Sequence, residues 1–204
     1  MNFFSHNINV IAINNALMDL GTVITMQTNK QKKRPWISCI TCADLLGRTA
    51  DFSTFDKDIE SVNYIKRRVG KMEFVAEEPT CLSFNVSNTK NNSNKAIQHY
   101  TVKSLQDVKQ LITHASERKV TCGVVIVHTD LAKEMIVHGL VDEMIYYLSL
   151  QQTEHENTQP ISLLNNAWKI SSSYHFSNGI RFNARPESDM IKQQFDSEHR
   201  LYLN

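Results

Sequence analysis

"VTCGVVIVHTDLAKEMIVHGLVDEMIYYLSL", residues 120–150, sets two apolar runs on either side of one helical period. Its opening, VTCGVVIV, is apolar almost without a break, as a strand covered on both faces requires. Thr129 then stands where it caps a helix carrying Leu131, Met135 and Ile136. Gly139 falls where a left-handed C-terminal cap is expected, with Leu140 after it to pack back on the helix. DEMIYYLSL, residues 142–150, reads as the next strand. Strand, helix and strand in this span point to a parallel sheet with a helix between its strands.

The same grammar extends outward. Ser104 caps a helix whose Leu105, Val108, Leu111, Ile112 and Ala115 share one face. "FDKDIESVNYIKRRV", residues 55–69, places Ile59, Val62, Tyr64, Ile65 and Val69 near helical spacing. Asp56 and Asp58 come early there, and Lys66, Arg67 and Arg68 late, an order that complements a helix dipole. MEFVA (72–76) is a short strand, and the Asn/Ser-rich 85–98 is a loop. Downstream, KISSSYHF and IRFNA flank Asn178-Gly179, a dipeptide that favours the positive φ angles of a two-residue hairpin turn. NINVIAI (7–13) and GTVITMQ (21–27) read as two more strands, followed by the basic link NKQKKR. The order predicts an α/β domain with a mostly parallel sheet and an antiparallel C-terminal hairpin.

A chain of 204 residues, 41% hydrophobic and 21% charged, suits one domain with tails. A net charge of +1 gives no general pull toward nucleic acid or an anionic membrane. No apolar run reaches the length of a membrane span. The first residues lack a basic n-region and a small-residue cleavage site, so they read as mature protein. Four cysteines make no disulfide scaffold, and a reducing cytoplasm is the expected compartment.

"RPWISCITCADLLGRTAD", residues 34–51, holds the only close cysteine pair, Cys39 and Cys42. In a strand, residues three apart point to opposite faces with Cα atoms roughly 10 Å apart. No disulfide closes across that gap. Zinc usually needs four converging ligands, and Cys81 and Cys122 stand isolated in the sequence. The cysteines therefore read as small buried apolar residues, and no metal site is expected.

The loop after them carries a resemblance. Arg34, Pro35, Leu45, Gly47, Arg48 and Ala50 match the opening of the reductase domain of riboflavin biosynthesis, a member of the dihydrofolate-reductase-like superfamily. Those domains begin with Arg-Pro, an apolar strand and a Ser-Leu-Asp-Gly-Arg type loop. Leu131, Gly139, Leu140, Val141, Asp142 and Glu143 match the family's Leu-rich helix and its Gly-Leu-Val-Asp-Glu stretch. NGIRFNARP resembles the family's last strands, and the three matches, in the family's order, cover most of residues 34–186.

The resemblance implies a three-layer α/β fold that binds NADPH along the carboxyl ends of its strands. It also implies reduction of a ribosylamino-pyrimidine or a pterin-like heterocycle by hydride transfer, and a homodimer. Cofactor contacts then fall to Thr41, Gly47, Thr80, His128, Thr129 and Asp130, and a substrate contact to Arg48. Asp44 becomes the catalytic polar group that orients the heterocycle, while the nicotinamide supplies the hydride. Residues 34–186 form the reductase-like domain, 1–33 an N-terminal extension able to add strands to the sheet, and 187–204 a tail.

The chain departs from the family where the cofactor is held. Leu46 stands in place of the loop's Asp, and Asp44 in place of its Ser. Glu77 replaces the glycine of a Gly-x-x-Thr turn that keeps Thr80, and Val127 and His128 replace a diglycine. Side chains there crowd a diphosphate, and a carboxylate repels it. Residues 85–102 also look short by one strand-helix unit. His128, without a visible partner, reads first as a rim residue, Asp142 and Glu143 as a solvated turn, and Lys66 to Lys71 as a basic helix end. Gly47 and Thr80 are the stronger ligand candidates, because they follow strands where open α/β sheets place ligands. Two functions remain open: a nicotinamide-dependent reductase with remodelled contacts, or a binding protein that keeps the fold without the cofactor site.

Overall fold

Nine consecutive buried residues, Trp36–Asp44, form β1, the middle strand of a seven-stranded sheet. The computed structural model describes residues 34–45, 47–50, 52, 55, 58–81, 96–150, 168–176 and 178–187. The strands expected over 7–13 and 21–27, most of the 85–98 loop, and the tail beyond Glu187 lie outside them. After β1 come α1 (Ile59–Val69), β2 (Phe74–Glu77), β3 (Gln98–Thr101) and α2 (Leu105–Glu117). Then follow β4 (Cys122–Ile126), α3 (Thr129–Val137), β5 (Glu143–Ser149), β6 (Trp168–Phe176) and β7 (Gly179–Pro186).

The sheet order is β3-β2-β4-β1-β5-β7-β6, with β3 to β5 parallel and β7 and β6 antiparallel. The mostly parallel sheet with an antiparallel hairpin is thus the observed architecture. Strand pleating splits β1 between two cores. Ile37, Cys39 and Ala43 join Phe74, Val125, Met144 and Tyr146 under α2 and α3. The opposite face meets α1. There the Tyr147 hydroxyl donates to the Ser61 carbonyl at 3.5 Å, and the Asn183 amide donates to the Tyr64 hydroxyl at 2.6 Å. The Arg181 guanidinium lies 3.5 Å over the Tyr64 ring. Each fully buried aliphatic or Phe side chain contributes about 1.5–3 kcal/mol, so both layers hold the sheet. Cys39 and Cys42 are buried, share no disulfide and lie on opposite faces of β1, as strand geometry predicts.

Helix ends follow local chemistry. The Asp58 carboxylate accepts from the Ser61 amide at 2.7 Å, so α1 starts at Ile59 rather than at 55, and Ile59 is exposed. The Ser104 hydroxyl accepts from the Asp107 amide at 3.3 Å and caps α2. The cap of α3 is His128, not Thr129, which is the first helical residue. At its other end Gly139, with φ of 65°, donates to Ile136 while Leu140 donates to Met135, both at 2.9 Å. That pair of bonds is the expected left-handed closure.

Two expectations change. β3 pairs in parallel with β2, so the end of the stretch that reads as a polar loop is a strand. The hairpin forms, but Gly179 pairs with Phe176 and so belongs to β7 rather than to the turn. Gly179 has no positive φ. It is needed for space, because a Cβ there would stand 2.2 Å from the Leu148 carbonyl oxygen.

The acids read as a solvated turn are buried. Asp142 receives both guanidinium ends of Arg34, at 2.7 and 2.9 Å, and the Ile37 amide at 2.8 Å. Glu143 pairs with buried Arg68, with Arg185 at 3.2 Å, and accepts from the Ser38 hydroxyl at 3.0 Å. The Arg-Pro and Val-Asp-Glu stretches are therefore bonded to each other. The basic helix end is likewise divided, with Lys66 and Arg67 exposed and Arg68 turned into the sheet.

Candidate functional site

The parallel strands β1, β2 and β4 end on one rim, where three loops meet the start of α3. Open α/β sheets place ligands on such a rim. The loop after β1 is tight. Gly47, with φ of 76°, donates to the Asp44 carbonyl at 2.9 Å, and the Asp44 amide donates to the Arg48 carbonyl at 2.9 Å. Only glycine takes that φ at little cost. The Asp44 carboxylate accepts from the Arg48 amide at 3.0 Å and its Nε at 2.7 Å, with a second guanidinium contact at 2.6 Å. Asp44 is fully buried and Arg48 nearly so. Asp44 thus braces the loop through Arg48. Next to it Thr49 shares a short hydrogen bond with Thr129 and ties the loop to α3.

The loop after β2 reaches the same helix. Pro79 and Thr80 lie inside a turn closed by the Cys81 amide on the Glu78 carbonyl at 2.9 Å. The Glu78 carboxylate accepts from the His128 amide at 2.7 Å, and the Thr80 hydroxyl meets His128 Nε2 at 2.8 Å. His128 Nδ1 is buried without a partner among the described residues. Glu78, Cys81 and His128 each present a ligand atom within 4.8 Å of the others. Glu77 closes β2, half-buried, and burial raises its carboxyl pKa.

Each expected site residue has a definite place. Gly47, Arg48 and Thr129 sit together around the first loop, and Thr80 and His128 around the second. Thr41 is wholly buried in β1, its hydroxyl without a partner among the described residues. Asp130 is exposed on the first turn of α3, while Glu78 takes the cap amide. Val127 packs into the core, so the crowding at the lost diglycine comes from His128 and Glu78. Glu78 and Cys81 are absent from the sequence-based set. Their signal was a Glu-x-x-Cys turn after a strand, legible only once His128 is beside it.

No protein-family model and no curated protein matches the chain by sequence. Solved structures do match. The diaminohydroxyphosphoribosylaminopyrimidine deaminase/5-amino-6-(5-phosphoribosylamino)uracil reductase of Thermotoga maritima gives a TM-score of 0.56 at 13% identity, over 79% of this chain. This chain spans 59% of that protein's length. The chain has the fold of the riboflavin-biosynthesis reductases. The pyrimidine reductase-like protein of Corynebacterium diphtheriae gives 0.53 at 8% identity, over 74% of this chain and 91% of that one. The Saccharomyces riboflavin biosynthesis reductase gives 0.50 at 7%, over 76% and 91%. On this reductase fold, no described helix is long and apolar enough to cross a membrane.

Proposed function

We propose that the chain keeps the reductase fold as a binding protein for a small heterocyclic ligand, without the dinucleotide grip at α3. The observation that carries this reading is the Glu78 carboxylate, bonded at 2.7 Å to the His128 amide where an anion would meet the helix. Helix N-termini attract phosphates through such amides, and a carboxylate already there repels a second anion. The donor set at α3 therefore does not fit a diphosphate, and no chemical step is routed through NADPH.

A second reading has its own support. Gly47 keeps the left-handed turn of the family's first loop, and Arg48 stands at the rim beside it. An NADPH-dependent reductase of a ribosylamino-pyrimidine or pterin-like substrate, acting as a homodimer in the cytoplasm, is consistent with that loop and with the fold. Residues 34–186 are then the reductase-like unit. Titration with NADPH, read by fluorescence, separates the two. The first reading expects no binding at millimolar cofactor, and binding regained in Glu78→Ala, which frees the amide. Tight binding by the natural chain, with turnover of an aminopyrimidine or a pterin, overturns it.

A further inference from the structure

We propose that Glu78, Cys81 and His128 form a divalent-cation site, suited to zinc, that pins the loop after β2 to the start of α3. A carboxylate oxygen, a thiol sulfur and an imidazole nitrogen are the three donor types zinc accepts in proteins. Their ligand atoms lie within 4.8 Å of one another. Bonds of about 2.0–2.3 Å place tetrahedral ligand atoms roughly 3.3–3.8 Å apart, so side-chain rotation closes the difference.

Two further observations point to a ligand. His128 Nδ1 is buried with no partner among the described residues, although its ring is fixed through Nε2 on the Thr80 hydroxyl at 2.8 Å. With the proton on Nε2 and donated to Thr80, Nδ1 carries a lone pair. That is how metal-binding histidines are oriented, the second ring nitrogen held by an outer partner. The Glu78 carboxylate is held in the same way, by the His128 amide at 2.7 Å. The turn from Glu78 to Cys81, closed at 2.9 Å, brings both side chains to the imidazole from one loop.

Three protein ligands leave a fourth position for water or another small ligand. Cys81 is the sulfur that gives up its proton to the metal. The site is separate from the question of NADPH: cofactor titration reads the α3 amide, whereas a metal spectrum reads the Cys81 sulfur.

The test uses the full chain, stripped with chelator and kept reduced, titrated with Co²⁺ and then with Zn²⁺. A single equivalent of Co²⁺ is expected to give tetrahedral visible bands and a thiolate-to-cobalt charge-transfer band, both lost on stoichiometric Zn²⁺. Cys81→Ser removes the charge-transfer band, and Cys122→Ser, at the far end of β4, leaves it unchanged. Thr80→Ala keeps every ligand and weakens Zn²⁺ affinity roughly 10-fold by freeing the ring. It also carries the test should Cys81→Ser fail to fold. A natural chain without the charge-transfer band, a band that survives Cys81→Ser, or a Thr80→Ala affinity equal to the natural one overturns the site.

Discussion

At the amino ends of β1 and β5, buried acids face inward and meet arginines from several elements. At the carboxyl ends of β1, β2 and β4, the acids serve loops. Glu143 gathers Arg68 from α1, Arg185 from β7 and Ser38 from β1. Asp142 closes Arg34 and the Ile37 amide onto the start of β5. These bonds join parts of the chain 42 to 108 residues apart. On the rim, Asp44 reaches Arg48 only four residues on, and Glu78 reaches a backbone amide at 2.7 Å. The base is a set of ties between buried acids and arginines from other elements. The rim ties Asp44 within its own loop and fastens two loops to the start of α3 by single hydrogen bonds.

The sharpest way to break this contrast is at Glu143. Removing one partner of a buried ion pair leaves uncompensated charge and costs about 3–5 kcal/mol. Glu143→Gln takes the carboxylate charge away from two buried guanidinium groups, so a loss of that size is expected in denaturant unfolding at neutral pH. A loss under 1 kcal/mol would mean that the base is as pliable as the rim. Asp44→Asn comes next. It keeps an acceptor for the Arg48 amide but turns an amide group on the guanidinium, a loss of about 1.5–3 kcal/mol for a charged hydrogen bond. Equal losses at Asp44 and Glu143 would erase the distinction between local and long-range ties.

The sequence made the base and rim unequally legible. Apolar runs and caps revealed the strands of the central sheet and α2, because strand burial and helix capping are local patterns. Gly139 was legible for the same reason: it needs φ of 65°, and its Cβ would meet nothing within 4 Å. Gly139→Ala therefore tests backbone conformation alone, with an expected loss of about 1–2 kcal/mol. Gly179 was not legible, since its need is space beside a carbonyl of a strand some thirty residues away. The acids of the Val-Asp-Glu stretch read as solvent-facing because their arginine partners lie in distant elements. Cys81 read as isolated because His128 reaches it only through the pairing of β2 with β4. Chemistry that depends on register stays hidden until the strands are placed.

The smallest effect belongs to an acid that meets the rim pattern in its simplest form, free of any arginine. Asp107, in the first turn of α2, accepts the Lys103 amide at 2.8 Å. That bond, helped by the Ser104 hydroxyl, lowers its carboxyl pKa from the ordinary value. The folded state therefore favours the charged form, and its contribution is present above the unfolded pKa. It fades as pH falls through the lower folded value. Asp107→Asn should leave a slightly less stable chain at neutral pH and a shallower loss of stability in acid, seen as thermal midpoints converging with the natural chain at low pH. Because the carboxylate is exposed, water and salt screen it, and added salt should shrink the difference further. A gap that persists in acid would assign the effect to side-chain shape rather than to charge at a helix end.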